Sequence, residues 1–242
     1  MTQVKLGDKN IPFIYQGDEL LYPNPIKDGL VLWYDFKGIT NNNRWIKYPR
    51  DLSDNNINAN VYNSAYNIEG SGYNDGLNFD GVDDFLSIPQ NPLEYQGKDK
   101  QEWTVCITVT IKDVYVTNKL IRGINRGLEV RKMGDGNRAL NFIANTSLLY
   151  LYSNSYIPEN KKCYISYSYN QKEKTNKIFI NGVLDNELIV DDSSNEPEGM
   201  LNVLEVSTQR DNIIHSLQIY NRELSSQEIQ HNYNLEKERW GL

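Results

Sequence analysis

The chain has no apolar stretch approaching the roughly 20 residues that a membrane-crossing helix needs, so insertion into a bilayer is not expected. Its first residues, Met1-Thr2-Gln3-Val4-Lys5, lack the apolar core of a secretory leader; work outside a cell would imply release by another route, such as lysis. Cysteine is scarce: Cys106 and Cys163 are the only two in 242 residues. Two do not make a disulfide framework, and without a Cys-x-x-Cys pair there is no zinc site of that kind. Both lie in apolar, strand-like runs, which suits buried thiols. Histidine is equally rare, and neither His215 nor His231 has a nucleophile at the spacing of a Ser or Cys hydrolase. There is no excess of basic residues: 25 Lys and Arg against 32 Asp and Glu leave a net charge of −7, which argues against nucleic acid as a partner. The glycine-bearing stretches fit neither a phosphate-binding loop nor a dinucleotide fingerprint.

What the chain does have is alternation. Trp103, Val105, Ile107, Val109 and Ile111 alternate with Thr104, Cys106, Thr108 and Thr110, a period of two that predicts a strand with one buried face. Leu30, Leu32, Tyr34 and Phe36 alternate likewise, as do Leu140 with Phe142, and Ile165 with Tyr167 and Tyr169. Between Ile178-Phe179-Ile180 and Val183-Leu184, the pair Asn181-Gly182 accepts the positive φ values of a type I′ turn and predicts a hairpin. About a dozen such segments with turn residues between them predict an all-β sandwich or barrel, and the 17 tyrosines suit half-buried strand positions. One helix is expected near the C-terminus. Ser225-Ser226-Gln227-Glu228 is a capping box, Leu224 and Ile229 have the spacing of a hydrophobic staple, Ile229 and Tyr233 share a face, and Gly241 ends it. The remaining helix positions are polar, which predicts a helix lying on the surface.

Residues 1–27 read differently from residues 28–242. A ten-residue echo, Val4-Lys5-Leu6-Gly7-Asp8 and Ile14-Tyr15-Gln16-Gly17-Asp18, predicts short strands joined by Gly-Asp turns, followed by a break at Pro23 and Pro25. Two readings stand for this β-hairpin arm: a docking segment for another protein, or the first edge hairpin of the sandwich itself.

Four stretches in register resemble the laminin-G/concanavalin A-like jelly roll. They are Asp28-Gly29-Leu30-Val31-Leu32-Trp33-Tyr34-Asp35-Phe36 with the polar turn Asp51-Leu52-Ser53-Asp54-Asn55-Asn56; then Gly76-Leu77-Asn78-Phe79-Asp80-Gly81-Val82-Asp83-Asp84-Phe85-Leu86; the strand at 163–169 leading to Phe179-Ile180-Asn181-Gly182; and Leu217-Gln218-Ile219-Tyr220-Asn221-Arg222-Glu223-Leu224-Ser225. The resemblance implies a concanavalin-like antiparallel β-sandwich over about 28–240. The arm, with Tyr22-Pro23-Asn24-Pro25, is similar to the N-terminal segment of tail, baseplate or fibre proteins of bacteriophages with Gram-positive hosts. That likeness implies a virion structural protein, with residues 1–27 joining other virion proteins and the sandwich serving attachment to a cell-wall glycan or a neighbouring protein. A purely structural joining role is the alternative.

Glycosidases of this fold carry an E-x-D-x-x-E-like run, and none occurs here, so an enzyme is not expected. Glu129 and Glu205 read as lone carboxylates on solvated strand faces, and adjacent Asp191 and Asp192 would point to opposite sides of a strand. His215, on the alternation of Leu217 and Ile219, reads as buried and hydrogen-bonded, and His231 as exposed on the helix. Asp80, Asp83 and Asp84 gather three carboxylates around Gly81; this reads either as a turn bonded to its own backbone or as a calcium site. Tyr150, Tyr152, Asn154 and Tyr156 combine stacking rings with an amide, as a saccharide would require. The other reading of those tyrosines is cover for a second sheet or a subunit interface.

Overall fold

The computed structural model describes residues 5–17, 19–42, 47–67, 70–93, 102–112, 118–122, 127–132, 138–144, 149–189, 204–206 and 211–242. Two antiparallel sheets carry the chain. The first runs Val183–Ile189, Thr175–Ile180, Lys162–Asn170, Glu102–Ile111, Asp211–Tyr220, Leu77–Asp80 and Gly72–Tyr73, with Leu30–Asp35 pairing the second half of Asp211–Tyr220. The second runs Leu149–Tyr152, Arg138–Ala144, Gly127–Lys132, Asn118–Arg122, Leu204–Val206, Phe85–Ile88 and Asn60–Tyr62. The architecture is the expected β-sandwich. Its core lies between the sheets, where Leu32, Tyr34, Phe79, Trp103, Ile107, Ile165, Tyr167 and Leu217 are buried. Each such side chain contributes about 1.5–3 kcal/mol when removed from water.

The hairpin at Asn181-Gly182 forms as expected, with φ of 49° and 78° and Ile180 opposite Val183. The two cysteines are free and buried. Cys106 lies opposite Ser166 and Cys163 opposite Val109, so the two thiols emerge on opposite faces of the first sheet.

Two expectations from alternation need correction. The strand Glu102–Ile111 buries both faces, not one. Its apolar positions enter the core, and Thr104, Cys106, Thr108 and Thr110 lie under a second cover. His215 also departs from the pattern. The pairing of Glu102–Ile111 with Asp211–Tyr220 slips between Thr108 and Val109, where Ser216 opposes Thr108 and Ile214 opposes Val109. This bulge makes His215 the unpaired residue and turns it out of the core, where its Nε2 lies 2.9 Å from Thr110 Oγ1 and its ring packs on Trp240.

The second cover is the helix Ser226–Trp240. Both halves of the capping box are present, and Gly241 closes the helix in the left-handed region, its N–H donating to Lys237 O at 2.9 Å. Leu224 and Ile229 pack with Cys106, Tyr164, Phe179 and Tyr220 on the outer face of the first sheet. Gly182 lies so close beneath Tyr233 that a Cβ there would stand 2.7 Å from its ring. The expected surface helix with a polar remainder is therefore an underestimate, because Asn232, Glu236 and Arg239 are buried as well. Glu236 and Arg239 point at the sheet because each lies four residues beyond a covered position, Asn232 and Leu235 respectively.

The arm forms two small hairpins, Lys5–Leu6 with Lys9–Asn10 and Ile14–Gln16 with Glu19–Tyr22, each a separate two-stranded sheet. Its second part packs on the helix. Arg239 Nη1 donates to Pro12 O at 2.6 Å, and its guanidinium lies 5.2 Å from the Phe13 ring and 5.5 Å from the Tyr22 ring. Ile26 N donates to Asn232 Oδ1 at 3.0 Å, and His231 Nε2 lies 3.0 Å from Asn24 O.

Candidate functional site

Of the tyrosine corner, Tyr150 belongs to the strand Leu149–Tyr152, but its side chain lies outside the described residues. Tyr152 is half-buried, and its carbonyl accepts from Asn186 Nδ2 at 2.7 Å. Asn154 spends its amide inside the protein: Nδ2 donates to Asp185 O at 2.7 Å, while the backbone amides of Asn154 and Ser155 donate to the Asp185 carboxylate. These bonds tie the end of one sheet to the outermost strand of the other. Tyr156 beside them is 61% exposed.

The Asp80–Asp84 turn carries the chain from the first sheet to the second. Asp80, Asp83 and Asp84 each bring a carboxylate oxygen within 4.8 Å of the others. Asp80 Oδ1 accepts from Val82 N at 2.8 Å, and Asp84 Oδ2 accepts from Ser71 Oγ at 2.8 Å and Asp80 N at 3.1 Å. Those contacts explain the residues as turn formers. One atom is left over: Asp84 Oδ1 is buried without a hydrogen-bond partner. Burial, aided by the charges of Asp80 and Asp83, raises the Asp84 carboxyl above the usual range. Three oxygens of this hardness suit a cation such as calcium.

The carboxylates weighed as catalysts fare as follows. Glu129 is buried, contrary to the solvated face expected of it, and stands between Lys119 and Asn141 of the flanking strands. Asp191, Asp192 and the side chain of Glu205 lie outside the described residues. Two further carboxyls, Asp35 and Glu236, are sealed beneath the helix. Asp35 Oδ2 accepts from Arg239 Nη2 at 2.6 Å. Glu236 Oε2 lies 2.6 Å from Thr108 Oγ1 and 2.5 Å from Ser216 Oγ, and those two hydroxyls are 3.0 Å apart. Burial raises both carboxyls, with Asp35 adding to the rise at Glu236. Two physical facts assign the shared proton to Glu236. Arg239 holds Asp35 directly, and the triangle of oxygens has three contacts but only two hydroxyl protons. A protonated Glu236 supplies the third. Both carboxyls are buried in the contact between helix and sheet, which their hydrogen bonds hold together.

An open groove of about 500 Å³ lies between the arm and the polar turn at 51–56. The arm contributes Tyr15, Leu20, Leu21 and Asn24; the turn contributes Arg50, Asp54 and Asn56; Lys27 comes from the segment leading into the first strand. Tyr15 is 45% exposed and Leu21 43% exposed, so one side is apolar and partly wet. Asp51 also lines the groove but faces inward. Its Oδ1 accepts from the amides of Trp33 and Ser53, and its Oδ2 from Ser53 Oγ and Ile57 N. Arg50 makes no ion pair or hydrogen bond through its side chain among the described residues. Lys27 Nζ sits 4.8 Å above the Trp33 ring. Sequence reading picked out both halves of this groove, the echo in the arm and the polar turn, but gave neither a ligand role. Nothing in their order along the chain signals that they face each other.

The fold has counterparts among solved structures. Trypanosoma rangeli sialidase in complex with sialic acid matches 88% of this chain and 33% of its own, at 18% identity and a TM-score of 0.60. The binding domain of botulinum neurotoxin DC in complex with rat synaptotagmin II matches 86% of this chain and 52% of its own, at 15% identity and a TM-score of 0.60. Domain 4 of AbnA, an extracellular arabinanase from Geobacillus stearothermophilus, in complex with arabinotriose, matches 86% of this chain and all of its own, at 17% identity and a TM-score of 0.60. The fold is a jelly-roll-like β-sandwich. The chain thus spans about a third of the sialidase and about half of the neurotoxin domain. No family model and no curated protein sequence matches the chain.

Proposed function

We propose that this protein is a non-catalytic saccharide-recognition module whose ligand lies in the groove between the arm and the 51–56 turn. The observation that carries the reading is the pairing in one concavity of a half-exposed Tyr15 with polar side chains across from it. A sugar ring has an apolar face and a rim of hydroxyls, so it needs a ring to lie on and donors and acceptors around it. The sialic acid and arabinotriose held by the sialidase and arabinanase structures support a saccharide, although the neurotoxin domain is held with a protein, synaptotagmin II. Asp51 is consumed by four donors, which leaves Asp54 as the single open carboxylate among the described residues of the groove. Glycoside hydrolysis works with a pair.

The tyrosine corner is the lesser surface on this reading, because Asn154 has given its amide to Asp185. The likeness of the arm to phage tail proteins supports a virion as the setting and attachment to a cell-wall glycan as the task. Contacts to other virion proteins then fall to the first hairpin, where Leu6 is 76% exposed, since residues 12–26 are occupied by the helix and the groove. The experiment is calorimetric titration of the protein with sialic acid, arabinotriose and purified cell-wall polysaccharide. Binding of at least one, weakened about tenfold in Y15A, is expected from loss of ring stacking. Absence of binding to all three, or a Y15A variant that binds unchanged, would overturn the reading.

The spare, buried Asp84 Oδ1 favours a calcium ion at Asp80, Asp83 and Asp84 as a stabiliser of the sheet-to-sheet turn. Millimolar calcium should then raise the unfolding temperature of the wild type and leave D84N unmoved. An equal response from both proteins removes the ion from the account.

A further inference from the structure

Resting on the groove as the saccharide site, we propose that its ligand is an anionic glycan and that Arg50 is the residue that selects the anion. The first support is where Arg50 stands. Pro49 O accepts from Ala59 N at 3.0 Å, and Asp51 N donates to Asn58 Oδ1 at 3.0 Å. With Asp51 also held by four donors to its carboxylate, the backbone on both sides of Arg50 is pinned. The Arg50 side chain alone in this stretch is left outward, exposed and lining the groove. With the backbone at its root already ordered, only the side-chain rotamers of Arg50 are left to be fixed when it takes a ligand.

The second support is the charge balance. The chain carries −7 overall, yet this concavity presents Lys27 and Arg50. Of the two carboxylates that line it among the described residues, Asp51 is turned inward and held by hydrogen bonds, so Asp54 is the one left open. Asp54 makes no ion pair with Arg50 among the described residues, although they are four residues apart. An unpaired cation in a cleft with low-dielectric walls concentrates field on an incoming anion.

The third support is the chemistry of the group itself. A planar guanidinium matches two oxygens of a carboxylate or a phosphodiester through parallel N–H donors. A neutral sugar offers it only hydroxyl oxygens, uncharged acceptors that hold a guanidinium more weakly than an anion does. In the bound state Tyr15 supports the sugar ring, Asn24 and Asn56 meet hydroxyls, and Arg50 holds the anionic group.

The test is titration of the full chain with three kinds of probe: an oligogalacturonate, the same oligomer with its carboxyls reduced to alcohols, and a glycerol-phosphate oligomer. At least one anionic probe should bind tenfold or more tighter than the neutral one, and the difference should shrink as salt rises. The probe that wins tells carboxylate from phosphodiester. R50A should erase the preference while retaining whatever affinity the neutral probe has, and R50K, which keeps charge but loses the fork, should fall between. Equal binding of charged and reduced oligomers would overturn the anion assignment and leave saccharide recognition standing. A preference that survives R50A would overturn the role of Arg50. Failure of every probe would overturn both. Unfolding curves of the variants show whether either substitution has acted through stability, and R50K covers the case in which R50A does not fold.

Discussion

The arm between residues 12 and 26 has two sides, and they obey different rules. Against the helix it meets Arg239, whose side chain is 2% exposed and paired with a fully buried Asp35. On the other side it meets Arg50, which is exposed and has no counter-ion among the described residues. The same functional group is a structural clamp in one place and a free donor in the other. What differs is desolvation. Taking a charge out of water costs so much that a buried guanidinium needs partners within the protein, here Asp35, Pro12 O and two aromatic rings, while its Nε meets no acceptor among the described residues. At the rim of a groove, water satisfies the group at no cost to the fold, so it stays free for a ligand.

Three substitutions sharpen or break that contrast. R239A should be the most severe, destabilising by about 3–5 kcal/mol in denaturant titration, since it removes the guanidinium paired with the buried Asp35 and leaves that carboxylate to the Lys37 amide. It should also weaken saccharide binding, because the arm that carries Tyr15 loses its anchor. A loss below about 1 kcal/mol would mean that the clamp is ornamental.

E236Q tests the buried proton next. A carboxyl raised by burial contributes stability that is complete below the usual carboxylate range and is lost as pH rises through its folded value. Between pH 5 and 8 the wild type should therefore lose stability that E236Q keeps, since glutamine carries no proton to lose. The measurement is unfolding temperature against pH for both proteins. Parallel curves would place the proton elsewhere. Glu228, which hydrogen bonding to Arg222 holds down at about 2, works in the opposite sense and only in acid, and does not confuse the window.

R50A should have the smallest effect on folding, within about 0.5 kcal/mol in the same denaturant titration, as befits an exposed side chain with no ion pair or hydrogen bond among the described residues. A large loss of stability there would make Arg50 a second clamp and erase the contrast.

Much of the architecture was legible from local pattern. The Asn181-Gly182 turn, the capping box at Ser225 and the strand around Ile107 all form where their residues predict, because each depends on neighbours within a few positions. His215 was misassigned to a face because a bulge adds one residue to a strand without any mark in the alternation. The burial of Glu236 and Arg239 was missed for a related reason. A polar helix position reads as solvated unless its partners, Ser216, Thr108 and Asp35, are known to wait opposite. The candidate groove was invisible because its walls come from the arm and from a turn about 35 residues later.

The sequence alone determined that this is a β-sandwich closed by one capped helix, since period-two burial and turn chemistry are written into consecutive residues. Only the tertiary structure decided which charges are spent and which are free. Asp51 and Arg50 are neighbours in the chain, yet one is saturated and the other open, because burial and hydrogen-bond supply depend on what the fold brings alongside.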